Sequence, residues 1–338
     1  MKPNVKHTKI PVLLLTLILC FSTIANTGCS NQNPISKTGF YFDTVITITL
    51  YDKNQENLLD ECFAMADRYE HLFSATLPDS DISRINAAEG EPVTVCDETI
   101  ELLEKGITYG DLSEGRFDIT IGALSSLWDF SKNIGNVPNQ IDIDQALQTV
   151  DYHEIQIDGN TVTVTNPDTR IDLGGIAKGY IADQMKEYLG KQGVTSGIIN
   201  LGGNVLVIGS KTDGTAYTIG IQKPFEDTGS AIASLKITDQ SVVSSGVYER
   251  YFEKDGTLYH HILDPQTGYP YQNDLLGVSI ICDSSVDGDA LSTTAFSMGL
   301  KEGMKFIESL PDTEAIFITE DYEIHTSSGI KEDMLKIY

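Results

Sequence analysis

"IDLGGIAKGYIADQM", Ile171 to Met185, reads as the end of a strand, a two-glycine turn and a helix with Lys178 in its first turn. A lysine there opposes the positive end of the helix dipole, so a negative group must offset it. Gly174 and Gly175 let a ligand approach at backbone distance, and the free N–H groups of a helix start are a ready anion site. The same residues also suit a tight strand-to-helix turn followed by a solvated lysine. The spacing is that of neither a Walker loop nor a GxGxxG fingerprint.

Working outward, "HEIQIDGNTVTVTNP" precedes this stretch as a hairpin around Asp158-Gly159-Asn160. A helix to about Leu189, Gly190 and Gly193, and a strand "SGIINLGGNVLVIG" follow it. Toward the N-terminus, "YFDTVITITLYD" alternates as a strand, Gln55–Phe73 has helical spacing, and "PDSDISRIN" turns into a short helix. Thr99–Ser113 and Ile141–Val150 are further helices, the first closed near Gly115. Toward the C-terminus come the strands "AYTIGIQKP", "IASLKIT", "SVVSSGVYERYF", "TLYHHILDP" and "LLGVSIIC". Helices over Ala290–Gly299 and Lys301–Leu310 and the strands "TEAIFIT" and "DYEIHTS" end the chain. Strands arrive both as hairpins and as crossovers. The expectation is an α+β fold with mixed or antiparallel sheets and packed helices, built as a single two-lobed unit.

The chain has 338 residues, of which 41 % are hydrophobic, enough for a sizeable core. Lys2, Lys6 and Lys9, the apolar run Pro11–Phe21 and the small residues "STIANTGCS" form a secretory signal pattern, too short for a membrane span. Cys29 after Gly28 resembles a bacterial lipid-attachment cysteine, with Asn26 where such signals usually carry an aliphatic residue. The expected division is a signal over 1–29, a tether over 30–38 and a folded domain over 39–338, anchored by lipid on the outer face of the cell membrane. Cys62, Cys96 and Cys282 are then left far apart, with no disulfide framework and no CxxC metal site. A net charge of −26 argues against nucleic-acid partners and requires that a phosphorylated ligand be drawn to a locally basic or metal-bearing pocket.

Three further stretches carry chemistry. In "VDGDALSTTAFSMG", Asp289 and Thr293 lie four apart and share one helix face, offering two oxygens to a cation; equally, Asp289 suits an N-cap and Thr293 an ordinary helix position. In "TLYHHILDPQTGYP", adjacent strand histidines point to opposite faces, so only one of His260 and His261 can serve a given site, and either can be structural. Arg116, Phe117, Asp118 and Trp128 combine a guanidinium, a carboxylate and flat apolar surface, as a ring-bearing ligand needs, and Tyr248 with Arg250 repeats the pairing. There is no GxSxG elbow, no HExxH and no reactive cysteine setting, so covalent catalysis finds no support.

Taken together, "YFDT", "SDISRIN", "RFDITIGALSSLW", "IDLGGIAKGYIAD", "NLGGNVLVIG", "SSGVYERYF", "HHILDPQTGYP" and "DALSTTAFSMG", in that order, resemble the ApbE family of FAD:protein FMN transferases. The resemblance implies that FAD is bound as substrate, that a Thr or Ser hydroxyl of an extracytoplasmic electron-transfer protein attacks its riboflavin-side phosphorus, and that AMP leaves. It implies that Asp289, Thr293 and the carbonyl of Ala177 hold Mg²⁺, and that Phe42, Arg116, Phe117, Asp118, Gly174, Lys178, Tyr180 and Ile262 contact FAD. His261, directly before "ILDP", becomes the base, with an aspartate as the alternative. The family often has Met-Gly where this chain has Phe42-Asp43. Hydrolysis of FAD to FMN and AMP would use the same groups, and a non-catalytic flavin- or solute-binding lipoprotein is the rival from another class.

Overall fold

Alternation of apolar and polar residues builds the main sheet, as in β2 (Thr44–Leu50), where Ile46, Ile48 and Leu50 are fully buried and the residues between them reach the surface. The computed structural model describes residues 34–338 apart from 53, 54, 133, 134 and 228. The expected signal and Cys29 lie outside the described residues. Eight strands pair antiparallel throughout, in the order β1 (Ile35–Tyr41), β2, β6 (Ser196–Leu201), β7 (Asn204–Gly209), β10 (Ser241–Gly246), β13 (Leu275–Cys282), β14 (Glu314–Thr319) and β15 (Ile324–Thr326). Smaller antiparallel sheets are β3 (Val93–Thr94) with β5 (Thr161–Val164) and β4 (Ile155–Asp158); β11 (Tyr251–Lys254) with β12 (Thr257–His260); and β16 (Leu335–Ile337) with β9 (Ala231–Ile237) and β8 (Tyr217–Gln222).

The helices are α1 (Glu56–Phe73), α2 (Asp81–Asn86), α3 (Asp97–Leu112), α4 (Gly122–Trp128), α5 (Gln140–Leu147), α6 (Ala177–Lys191) and α7 (Ser285–Glu308). Helix α7 packs on β10 and β13, the latter buried along all eight residues, and α6 packs on α7. Residues Pro34–Tyr338 form one compact unit. Beside the main core, a second core gathers Leu124, Trp128, Phe130, Ile143, Phe252 and Leu263. The α+β class with antiparallel sheets is therefore as expected.

Several boundaries differ from the expectation, each for a local reason. "YFDTVITITLYD" is a hairpin rather than one strand, because Phe42 and Asp43 both take the left-handed conformation (φ 54° and 55°) of a tight primed turn. Its first strand begins at Ile35, so part of the stretch expected as tether belongs to the sheet. "SGIINLGGNVLVIG" likewise folds back at Gly202-Gly203, and "SVVSSGVYERYF" divides into β10 and β11. Helix α7 starts at Ser285, five residues early, because Ser284 caps it, and it breaks at Gly299 (φ 72°). Gly190 sits inside α6, and Gly193 (φ 82°) follows its end.

Candidate active site

The N-cap of α6 is Ile176, whose side chain cannot cap; Ala177 N–H is met by the Leu173 carbonyl at 2.9 Å, but the next amides need an acceptor from elsewhere. Asp289 of α7 supplies one: its Oδ2 accepts the Gly179 N–H at 2.6 Å. In return Asp183 of α6 accepts the first two amides of α7, Ser285 N–H at 2.8 Å and Val286 N–H at 2.9 Å. The two helices cap each other. Their approach is so close that a Cβ on Gly179 would stand 2.2 Å from the Ser285 carbonyl oxygen, so only glycine fits there. Asp289 is thus the cap of a different helix from its own, which replaces the local N-cap expectation.

This clasp gathers the metal candidates. Asp289 is buried, and Thr293 follows one turn later on α7, its Oγ1 3.3 Å from Ser245 Oγ of β10. Ala177 lies two residues before the Gly179 amide that Asp289 holds. Among the described residues no three His, Cys, Asp or Glu side chains cluster as metal ligands. A cation here depends on one carboxylate, one hydroxyl and main-chain oxygen, a hard donor set of the kind Mg²⁺ takes.

Lys178, half-buried, donates to the Gly174 carbonyl at 3.2 Å, and the Gly174–Gly175 turn is exposed. The turn is positioned from both sides. Asn86 of "SDISRIN" clasps Ile171 with two bonds, donating to its carbonyl at 2.9 Å and accepting its amide at 2.7 Å. Asp172 accepts Ser125 Oγ at 2.8 Å and Gly174 N–H at 2.9 Å. The anion opposing Lys178 is in the first instance the protein's own: Lys178 pulls on the carboxyls of both Asp289 and Glu249. Burial drives Asp289 toward its neutral form, opposed by Lys178 and the Gly179 amide.

The two histidines separate cleanly. His260 is 3 % exposed, its Nε2–H donates to the Tyr271 carbonyl at 2.9 Å and its Nδ1 accepts Ile262 N–H at 3.3 Å. It is a structural residue, neutral because burial lowers its pKa to about 4. His261 keeps an open side chain, 30 % exposed, with Nε2 4.0 Å from Glu249 Oε2. Its Nδ1 is buried without a partner. Burial first and Arg250 second hold His261 well below its ordinary pKa, which keeps the ring neutral and lowers its affinity for a proton.

Glu249 is the residue the sequence reading missed. Burial first, and then Asp289, push its carboxyl up to about 7 against Lys178 and Arg250. It also lines a cleft of about 820 Å³ with Asp43, Phe130, Arg250 and Phe252. Its only signal in the sequence is its place two residues after Val247 in "SSGVYERYF"; apart from the adjacent Arg250, the charges around it come from two other segments, Lys178 of α6 and Asp289 of α7.

Four candidate side chains are buried within the protein. Tyr180 is 2 % exposed and donates its hydroxyl to Glu101 at 2.8 Å, edge-on to Tyr69 and Phe73; two residues from Lys178, it points to the far side of α6. Asp118 is buried, its carboxylate accepting Thr120 N–H and Oγ at 2.7 and 2.6 Å and Tyr152 N–H at 3.2 Å. Trp128 lies inside the second core, stacked on Phe130, and its Nε1–H donates to Gly268 at 2.8 Å. Ile262 is 4 % exposed. Phe117 is buried too, yet its ring edge stands 3.1 Å from where a Gly175 Cβ would be, so it floors the glycine turn. Arg116 stays partly exposed beside it, and Phe42 forms the β1–β2 turn with its amide donated to Glu70 at 2.6 Å.

Residues 42–317 match the model of the ApbE family. The chain belongs to this family. A FAD:protein FMN transferase of Klebsiella pneumoniae is 38 % identical over 302 residues, covering 88 % of this chain and 93 % of that protein. One of Treponema pallidum is 30 % identical over 350 residues, covering 98 % and 96 %. Among solved structures, the ApbE protein of Thermotoga maritima superposes with a TM-score of 0.80 at 32 % identity, covering 88 % of this chain and 97 % of that one. The flavin transferase ApbE of Vibrio cholerae does so with a TM-score of 0.79 at 27 % identity, covering 88 % and 98 %. The motifs from "SDISRIN" to "DALSTTAFSMG" fall within the residues that the family model matches.

Proposed function

We propose that this ApbE protein transfers the FMN part of FAD to a Thr or Ser hydroxyl of an acceptor protein, with Mg²⁺ held by Asp289, Thr293 and the Ala177 carbonyl, and releases AMP. The chain is a transferase, and flavin transfer rests on its FAD:protein FMN transferase relatives. The observation that carries the finer reading is the Asp289–Gly179 bond, which joins the start of α6 to α7 and so assembles lysine, glycine turn, carboxylate and hydroxyl in one place.

A pyrophosphate brought to Lys178 also meets Asp289 and Glu249, and like charges at that distance repel strongly in a partly buried site. Bound Mg²⁺ would supply the neutralising charge for the pyrophosphate and for the leaving AMP. Lys178 and the positive end of the α6 dipole hold the phosphates, and Phe117 and the Gly174–Gly175 turn shape their approach. His261 takes the proton as the acceptor oxygen bonds to the riboflavin-side phosphorus. The bond from that phosphorus to the bridging oxygen breaks, and the oxygen leaves with AMP. We also place the protein on the outer face of the membrane, tethered by lipid at Cys29, on the strength of its N-terminal sequence alone.

Incubation with FAD, Mg²⁺ and a candidate acceptor, followed by mass spectrometry, should show FMN added to the acceptor hydroxyl and AMP released one for one. Free FMN without any adduct would make the protein a FAD hydrolase instead, and binding without AMP would leave it a carrier. His261→Asn should slow transfer about 100-fold with little change in FAD affinity; equal loss of both would give His261 a binding role.

A further inference from the structure

Asn204, the first residue of β7 in the "NLGGN" segment, has no role in the chemistry above, yet it is 2 % exposed and its Nδ2 has no hydrogen-bond partner. A buried donor left open is uncommon and asks for an explanation. Ser285 Oγ donates to Asn204 Oδ1 at 2.7 Å and accepts from Ser241 Oγ at 2.9 Å. Ser285 and Asp289 lie four residues apart on one face of α7, so an amide whose oxygen is held at Ser285 has its Nδ2 edge on the side of the Asp289 carboxylate. Flipping the amide would set its oxygen against that carboxylate, so charge selects this orientation.

We propose that Asn204 is a positioning residue for Asp289, its amide group aiming the carboxylate at the cation while Gly179 holds the other side. The inference rests on the magnesium reading above. It ties Asp289 to the main sheet through β7, as the Ser245 contact ties Thr293 to it through β10. Outer partners that orient a ligand typically contribute 10- to 100-fold in metal affinity.

The test is a magnesium chloride titration of the full protein with FAD present, read as the rise in melting temperature and, separately, as the Mg²⁺ concentration giving half-maximal AMP release. Wild type should be stabilised by Mg²⁺, and Asp289→Ala should not. Asn204→Ala should require about 10-fold more Mg²⁺ in both readouts while FAD affinity without metal stays unchanged. Ser285→Ala keeps Asn204 but frees its oxygen, and should move both midpoints the same way by a smaller factor; it decides the matter if Asn204→Ala does not fold. A folded Asn204→Ala, or Ser285→Ala in its place, with wild-type midpoints would overturn the inference and leave the magnesium reading standing. Absence of any Mg²⁺ effect on wild type would overturn both.

Discussion

Gly179→Ala tests the clasp on which the site depends. The added Cβ would lie 2.2 Å from Ser285 O and 2.5 Å from both Ser285 C and Val286 Cα, all main-chain atoms that cannot rotate away. Restoring van der Waals distance moves the first turn of α7 by about 1 Å relative to α6. Such overpacking costs about 1–3 kcal/mol. Stretching the 2.6 Å bond from Gly179 N–H to the Asp289 carboxylate adds about 1.5–3 kcal/mol, the range for a bond to a charged group. Alanine's better helix propensity returns about 1 kcal/mol. The net is a loss of about 2–5 kcal/mol, or roughly 4–10 °C in melting temperature for a domain of this size. The same shift carries Asp289 and Thr293 out of register with α6, and a 1 Å displacement of a binding group costs about 100-fold in rate. Thermal denaturation and AMP release at saturating FAD and Mg²⁺ read the two effects. Propensity alone predicts the opposite sign, so a variant as stable as wild type with full activity would refute the clasp.

Asp289→Asn removes a buried charge but keeps the shape, so the melting temperature without metal should hold or rise while Mg²⁺-dependent AMP release falls at least about 100-fold; unchanged turnover with the same metal dependence would remove Asp289 from the metal site. Tyr180→Phe loses the hydroxyl bond to Glu101 and should cost about 1 kcal/mol in urea unfolding with FAD affinity unaltered. A fall in FAD affinity at unchanged stability would instead return Tyr180 to the nucleotide. His260 has its folded pKa lowered to about 4 from an ordinary 6.5, so the unfolded chain binds this proton first. Its contribution is intact above pH 6.5 and drains away as pH falls toward 4, by about 3 kcal/mol at most. NMR of the ring nitrogens at pH 5.5 should show a neutral Nε2–H tautomer; a charged ring there would contradict the structural assignment.

Most helices and strands were legible because their periods are local: Leu58, Leu59, Cys62, Phe63, Ala66 and Tyr69 line the buried side of α1 at helical spacing, and "IQIDGNTVTV" turns where a glycine must. Of the two reversals read through as single strands, Gly202-Gly203 carries the usual turn residues and the other lacks them. Phe42-Asp43 closes a hairpin with no glycine, so nothing in "YFDTVITITLYD" announces a reversal. Aromatic and charged residues misled for another reason. Composition cannot tell an Asp118 that accepts three bonds from its own neighbourhood from one that awaits a ligand, nor a Trp128 sealed in a second core from one that lines a pocket. The partners of Trp128 lie far along the chain, as does Tyr152, one of the three donors to Asp118.

The site itself left one local trace that a reading by physics could use. A helix whose N-cap is Ile176 has no side-chain cap; Ala177 N–H is met by the Leu173 carbonyl, but Gly179 N–H has no acceptor in its own segment, and a helix end placed in the protein interior cannot leave it so. The acceptor must then come from a distant segment. Asp289, 110 residues away, supplies it, and Asp183 answers from the other side. A ligand site follows from the same need. Two helix N-termini held together concentrate positive dipole, and the carboxylate that offsets it must be shared with whatever binds there. The order is therefore cap first and site second: the contact that lets α6 and α7 fold against each other also fixes where a phosphate and its cation can sit.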